Sequence, residues 1–285
     1  MEKHPQFDLW LHDDRELAEA LGSPLTERTT IHLWQLSLVQ RLRTAAGGHW
    51  IYKVQAPPTV EPEFYRVARS PLLVSARPLS GGDPSVALLL EEVDGRSLGE
   101  GAMSAQEARE AAASLLRGIA AIQGDLPARA DIRGPERWND RMEGALGGLA
   151  DLVAQGVFHT VTPELISRLG ALARSPSVLD AVRSPAGYVH SDLKAENVLV
   201  LRDGTHRVLD WQRPIRGPVA LDAATLFISL GLDPTAVVPP GIVQLYHLLL
   251  IAWFTESAQR WFPQGRPHYD RMIATIAQRV LALKA

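Results

Sequence analysis

The hydrophobic periodicity of the chain changes from strand-like to helical near residue 94, and this change constrains the fold most. Before it, a short helical stretch at residues 14–21 precedes β-branched and aromatic segments that predict strands, with one further short helix after residue 60. From Ser104 onward the apolar spacing is helical, except for an island at residues 188–211. We therefore predict an α+β fold with a small antiparallel sheet in residues 1–93 and a larger, mainly helical part in residues 94–285.

Turn signals and periodicity place the individual elements. Strands are expected near residues 29–33, 38–44, 50–55, 72–77 and 86–91, with a turn at Gly81–Pro84. In the island, strands at 198–201 and 206–209 flank Asp203 and Gly204, a pair typical of a type I′ turn. Helices are expected near residues 14–21, 61–69, 104–123, 136–155, 163–174, 219–230, 241–262 and 266–284.

Charge and cysteine content exclude several classes of protein. The 29 Lys and Arg residues against 32 Asp and Glu residues give a net charge of −3, which offers no basic footprint for nucleic acid and no polybasic membrane anchor. The absence of cysteine excludes disulfides and thiolate chemistry. The N-terminal residues show no apolar signal-peptide region. We therefore expect a cytoplasmic protein without a nucleic-acid or membrane partner.

The polar island carries a spacing typical of kinases. His190, Asp192 and Asn197 follow the pattern His-x-Asp-x-x-x-x-Asn, and Asp210 follows after the hairpin. Chance produces about 0.004 matches to the first three positions in a chain of this composition. Phosphoryl transfer needs a base for the acceptor hydroxyl and oxygen ligands for Mg²⁺. The spacing predicts Asp192 as the base and Asn197 and Asp210 as metal ligands. Lys194 lies two residues after the base and is expected to contact the transferring phosphate.

A second lysine, in a predicted strand, is a candidate for binding the nucleotide phosphates. Only four lysines occur in the chain, and Lys53 lies in the strand before the predicted helix at 61–69. Glu61 and Glu63 compete as its carboxylate partner. Glu63 shares a helix face with Val67, whereas Glu61 precedes Pro62 and is disfavoured in helical geometry, so Glu63 is predicted.

These residues resemble the aminoglycoside phosphotransferase and choline kinase superfamily of small-molecule kinases, from about Thr29 to the C-terminus. The resemblance implies a bilobal, protein-kinase-like fold, ATP or GTP as donor, Mg²⁺, and an aminoglycoside, amino alcohol or sugar hydroxyl as acceptor. It also implies that Glu91 and Val93 belong to a hinge that binds the nucleobase, and that Asp222 supports the catalytic loop. The nucleotide loop of this chain lacks the usual glycines, so Ser37 is expected to contribute a hydroxyl there.

The sequence leaves two alternative functions and the acceptor site open. A protein serine/threonine kinase shares the loop, but Ser191 stands where such kinases have Arg and no Ala-Pro-Glu motif follows. A catalytically silent pseudokinase would also explain the missing glycines. Aromatic and acidic residues of the helical part suit a cationic amine or a sugar, although they would equally form a core: Trp138, Asp140, Glu143, Trp253, Glu256, Trp261, His268, Tyr269 and Asp270.

Overall fold

The structure is a computed structural model that describes residues 1–80 and 84–283, so the predicted turn at residues 81–83 lies outside the described residues. These residues form two compact units. The first contains Met1–Glu100, Ala121–Arg129 and Glu196–Arg213, and the second contains Gly101–Ala120, Ala130–Ala195 and Pro214–Ala285. Within the described ranges, no helix is both long enough and apolar enough to cross a membrane.

Strands predominate in the first third of the chain, and helices predominate in the rest. The strands are β1 (Glu2–Lys3), β2 (Trp10–Leu11), β3 (Leu25–Trp34), β4 (Ser37–Thr44), β5 (His49–Gln55), β6 (Ala76–Leu79), β7 (Val86–Glu91), β8 (Gly95–Ser97), β9 (Ala130–Asp131), β10 (Ala186–Val189), β11 (Val198–Leu201), β12 (His206–Val208) and β13 (Ile215–Pro218). The helices are α1 (Asp14–Leu21), α2 (Glu61–Val67), α3 (Ala105–Ala120), α4 (Pro135–Ala154), α5 (Pro163–Ala173), α6 (Pro176–Arg183), α7 (Ala220–Ser229), α8 (Pro240–Glu256) and α9 (Arg266–Ala282).

The first unit is built on an antiparallel sheet with strand order β3-β4-β5-β7-β6. Because successive strand side chains point to opposite faces, the alternation in β4, β5 and β7 separates core residues from residues that line a cavity. One face of the sheet packs against Leu17 of α1 and forms a buried core with it. The sheet residues of this core are Leu38, Leu42, Tyr52, Val54, Ala87 and Leu89. The opposite face carries Val39, Ile51, Lys53 and Leu90, which line a cavity.

The polar hairpin of the island belongs to the first unit and is not isolated. Strand β11 pairs with β12 on one side and with β8 on the other, and this third strand gives the hairpin the packing partner it needs. The predicted type I′ turn is wrong. Such a turn needs a positive φ at both central residues, and in the described backbone Gly204 has a φ of 79° whereas the φ of Asp203 is not positive. Asp203 instead accepts a hydrogen bond from the Thr205 backbone N–H at 2.9 Å, which stabilises a longer loop.

The second unit is mainly helical, with a small sheet of order β10-β13-β9. Helix α8 is buried on several sides, as its continuous apolar sequence predicts. It approaches α6 so closely that a Cβ added to Gly241 would lie 2.2 Å from the Ser177 carbonyl oxygen. The helix expected at residues 241–262 ends earlier, because residues Ser257–Trp261 form a π-helical turn.

The predicted fold class is confirmed in its two parts, an antiparallel sheet with few helices and a mainly helical part. The division at residue 94 stays a prediction. Spatial contacts group residues 196–213 with the sheet, so the two units of the structure are interleaved along the chain.

Candidate active site

A cavity of about 470 Å³ in the first unit collects most of the predicted nucleotide-site residues. One set of lining side chains is aliphatic, including Val39, Ile51, Val74, Leu90, Leu199 and Leu209. The polar lining residues include Lys53, Glu61, Asn197, Asp210 and Gln212. Ser37, Glu91 and Val93 also line the cavity. A mostly apolar slot with a few convergent polar groups is the usual form of a small-molecule site.

Lys53 lies between two carboxylates of the first unit. Its Nζ is 2.6 Å from Glu61 Oε2 and 2.5 Å from Asp210 Oδ1, and its side chain is only 11% exposed. Burial alone would lower the pKa of Lys53, but the two carboxylates outweigh burial and raise it. Lys53 is therefore held as an ammonium. Burial raises the pKa of Glu61, against the opposing effect of the Lys53 charge.

The structure corrects the predicted partner of Lys53 from Glu63 to Glu61. The buried face of α2 is formed by Glu61, Phe64 and Tyr65, a spacing of three and four residues. Glu63 lies off this face, with a side chain that is 57% exposed and 3.9 Å from Arg66. Pro62 does not exclude Glu61, because Glu61 is the first residue of the helix and its backbone N–H donates to Thr59 Oγ1 at 3.1 Å.

Several contacts fix the position of Asp210. Its φ of 67° lies in the left-handed region, which is uncommon for a residue other than glycine. The next backbone N–H, of Trp211, donates to Glu61 Oε1 at 3.1 Å, and the Trp211 ring stacks on Phe64 with ring centroids 4.4 Å apart. Such strain persists only where the surrounding structure enforces it, as these contacts do.

The donor set at this end of the cavity fits Mg²⁺. One ammonium, Lys53, faces the two carboxylates of Glu61 and Asp210, so the cluster carries a surplus of negative charge. Asn197, in the same lining, can add a neutral amide oxygen, and its backbone carbonyl accepts a hydrogen bond from Leu209 N at 2.8 Å. Mg²⁺ prefers one or two protein oxygens together with water and phosphate oxygens. Asn197 and Asp210 could therefore hold this ion.

The predicted catalytic loop lies in the second unit. Asp192 is 3.2 Å from the Nζ of Lys194, which brings these two predicted residues together. Asp222 supports the backbone before them: its Oδ2 accepts from His190 N at 2.8 Å and its Oδ1 from Ser191 N at 2.9 Å. Ser191 has a φ of 65°, so the carboxylate holds a strained turn.

The buried carboxyl of Asp222 predicts a pH dependence of stability. Burial, with a smaller contribution from Asp192, raises the pKa of Asp222 to about 7, against the opposing effect of the two backbone donors. The folded chain then holds this proton more tightly than the unfolded chain, so the contribution of Asp222 to stability falls as the pH rises from about 4 to about 7. The expected slope is up to about 1.4 kcal/mol per pH unit.

The variant Asp222→Asn isolates this contribution, because Asn does not titrate. We expect the melting temperature of the wild type minus that of the variant to decrease between pH 5 and pH 7, and to level off above about pH 7. A difference that grows with pH would show that the charged form of Asp222 is the one the fold favours.

The hairpin at residues 34–37 forms a tight, glycine-free turn. Trp34 and Ser37 are paired, and no residue between them has a positive φ, as the described backbone shows. The turn is tied to the sheet because Ala56 N donates to the Leu36 carbonyl at 2.8 Å. Ser37 lines the cavity at this point.

Some of the candidate acceptor residues have structural roles. Trp138 is fully buried and its Nε1 donates to the Ala173 carbonyl at 2.9 Å. Asp270 accepts backbone hydrogen bonds from His159, Thr160 and Val161 at 2.8 to 3.0 Å. By contrast, Asp140 and Glu256 line a polar cavity of about 190 Å³.

Gln212 is a cavity residue that the sequence analysis missed. Its Nε2 lies 2.5 Å from Asp210 Oδ1. Its position two residues after a predicted metal ligand was the signal that could have pointed to it.

The fold and the cavity together define a kinase-like enzyme, and the comparisons agree with this class. The profile of the phosphotransferase enzyme family (APH) matches residues 36–262. The chain therefore belongs to this family, and the predicted superfamily and enzyme class are confirmed. No curated protein matches the chain.

Solved structures of small-molecule phosphotransferases share the fold. A thermostable mutant of the aminoglycoside phosphotransferase APH(4)-Ia, in a ternary complex with ADP and hygromycin B, has a TM-score of 0.61 at 13% identity, covering 94% of this chain and 97% of that one. The macrolide 2′-phosphotransferase MphH from Brachybacterium faecium has a TM-score of 0.60 at 17% sequence identity, and the match covers 95% of this chain and 97% of that one. A putative fructosamine-3-kinase from Thermobifida fusca YX-ER1 has a TM-score of 0.56 at 19% sequence identity, and the match covers 95% of this chain and 98% of that one.

Proposed function

We propose that this chain transfers the γ-phosphoryl group of ATP or GTP to a hydroxyl of a small molecule. The observation that carries the proposal is the buried network of Lys53, Glu61 and Asp210 at a cavity that is otherwise largely aliphatic. Such a cavity suits a nucleobase, and the network suits a triphosphate with its metal ion. The ADP complex of the structurally similar APH(4)-Ia supports the nucleotide assignment.

In the first unit, the chain's residues bind and orient the nucleotide. The aliphatic side chains of Val39, Ile51 and Leu199 enclose the base, and the backbone at Glu91 and Val93 pairs with its edge. Because Glu91 N already donates to the Ser75 carbonyl at 2.8 Å, Glu91 offers its carbonyl to the base. Lys53 contacts the phosphates. Mg²⁺ held by Asn197 and Asp210 would neutralise charge on the β- and γ-phosphates when bound.

In the second unit, Asp192 acts on the acceptor. Its carboxylate orients the acceptor hydroxyl and takes its proton as the oxygen bonds to the γ-phosphorus and the bond to the leaving nucleoside diphosphate breaks. Lys194, 3.2 Å from Asp192, contacts the transferring phosphoryl group with its ammonium. Asp222 keeps the loop in its strained conformation and does not take part in the proton transfer.

The acceptor is proposed to be an aminoglycoside, a macrolide, an amino alcohol or a sugar. These are the classes that the resemblance and the names of the similar structures support. A panel of such compounds is tested with Mg-ATP and Mg-GTP, measuring nucleoside diphosphate release and the mass of the acceptor. We expect at least one acceptor to gain the mass of one phosphoryl group as nucleoside diphosphate is released. Transfer to a protein substrate alone would indicate the protein-kinase alternative, and absence of nucleotide binding would indicate a silent module.

The glycine-free turn at residues 34–37 predicts that Lys53→Ala and Ser37→Ala weaken nucleotide binding by different amounts. Because the turn is tied to Ala56, its backbone amides cannot close over the phosphates as a glycine-rich loop does. We therefore expect Lys53→Ala to weaken nucleotide binding severely. Ser37→Ala should cost about 0.5 to 1.5 kcal/mol, the net contribution of one hydrogen bond. Calorimetry at a fixed Mg²⁺ concentration measures the nucleotide affinity of both variants. Equal losses of affinity would show that the turn is a full phosphate cradle.

A further inference from the structure

The Asp210 carboxylate receives two hydrogen bonds on the same oxygen. Lys53 Nζ and Gln212 Nε2 both lie 2.5 Å from Oδ1. An ionised carboxylate can only accept, so the group that Gln212 presents must be its NH₂ and not its carbonyl oxygen. Gln212 thus contacts Asp210 as a donor.

The backbone around Gln212 is held firmly enough to aim this side chain. The Gln212 carbonyl accepts a hydrogen bond from Val60 N at 3.0 Å, just before α2 begins. Trp211, the preceding residue, is bound to Glu61 through its backbone and stacked on Phe64. The segment 210–212 is therefore fixed on α2 at both its middle and its end. The Gln212 amide is a defined part of this arrangement rather than a mobile surface group.

We propose that Gln212 is a positioning residue for the metal-binding carboxylate. By donating to Oδ1 beside Lys53, it fixes the rotation of the Asp210 carboxylate, the group that would hold the divalent cation. This inference rests on the proposed function, because it concerns the Mg-nucleotide site. Gln212 itself does not ligate the ion.

A neutral amide is the side chain that this position requires. One ammonium already faces two carboxylates, and a third carboxylate at position 212 would compete for Lys53 and repel Asp210. An apolar side chain of similar size would fill the space but would leave Asp210 with one donor fewer. Partners that orient metal ligands in this way typically contribute 10- to 100-fold in metal affinity.

Two substitutions at this position separate a positioning donor from a metal ligand. Gln212→Leu removes the donor, and Gln212→Glu replaces the donor with an acceptor of the same shape. Gln106→Leu, at an exposed position of α3, is the matched control. Calorimetry with ATP over a range of Mg²⁺ concentrations, and with ATP alone, measures nucleotide binding without requiring turnover. Circular dichroism checks that each variant is folded.

The positioning role predicts the same direction for both variants. Gln212→Leu and Gln212→Glu should each raise the Mg²⁺ concentration for half-maximal ATP binding by about 10- to 100-fold, with Gln106→Leu unchanged. A lower Mg²⁺ requirement in Gln212→Glu would show that position 212 is a ligand and overturn the inference. An unchanged requirement in Gln212→Leu would overturn it also. If the wild type binds no Mg-nucleotide at all, the proposed function fails and this inference falls with it.

Discussion

Replacing Asp192 by Asn is expected to lower turnover by about two to four orders of magnitude, the usual contribution of a general base. Asn keeps the size of the side chain but cannot take the proton of the acceptor hydroxyl. Nucleotide affinity should change little, because Asp192 is not among the residues that line the proposed nucleotide cavity. Steady-state kinetics with an acceptor found in the panel, together with nucleotide calorimetry, measures both quantities.

Asp151→Asn is the matched control for this experiment, since Asp151 is an exposed carboxylate of α4 in the same unit. It should keep the turnover of the wild type. If Asp192→Asn retains turnover within a few-fold of the wild type, Asp192 is not the base.

Replacing Asp210 by Asn is expected to raise the Mg²⁺ requirement for nucleotide binding by more than about 100-fold, beyond the usual loss from an orienting partner. The Asn carbonyl can still accept from Lys53 and Gln212, and Asn tolerates the positive φ of this position. The variant should therefore fold, but its NH₂ group replaces the second carboxylate oxygen and cannot bind a cation.

Calorimetry with Mg-ATP measures this loss, and Asp203→Asn in the exposed loop between β11 and β12 controls for the change of charge. Mg-ATP binding by Asp210→Asn at the wild-type affinity would remove Asp210 from the metal site.

The sequence was most informative where function fixes the spacing of residues. Asp192, Asn197 and Asp210 are defined by intervals along a short stretch of chain, and the structure places Asn197 and Asp210 in the lining of one cavity. Lys53 could be predicted because lysine is rare in this chain and this lysine lies in a strand ahead of the helix that carries the candidate carboxylates. The functional roles of these residues remain proposals that the substitutions above test.

Helix phase and long-range pairing were the parts that the sequence could not supply. The choice between Glu61 and Glu63 depends on which side of a two-turn helix packs, and Phe64 and Tyr65 determine that side. The pairing of β11 with β8 joins residues about a hundred positions apart, and no local sequence pattern predicts such a pairing. Gln212 was missed although it lies only two residues after Asp210, because Asp210 has a φ of 67°, a backbone conformation that is uncommon for residues other than glycine.

Transfer of a labelled γ-phosphoryl group from Mg-ATP or Mg-GTP to a hydroxyl acceptor tests the proposed function directly. It should be measured for the wild type, Asp192→Asn and Asp210→Asn, with nucleotide binding recorded in parallel. The proposed function predicts that the wild type labels at least one small-molecule acceptor, that both variants lose labelling, and that only Asp210→Asn loses Mg-dependent nucleotide binding. A folded wild type that binds neither nucleotide, or an Asp192→Asn variant that labels the acceptor as well as the wild type does, would contradict it.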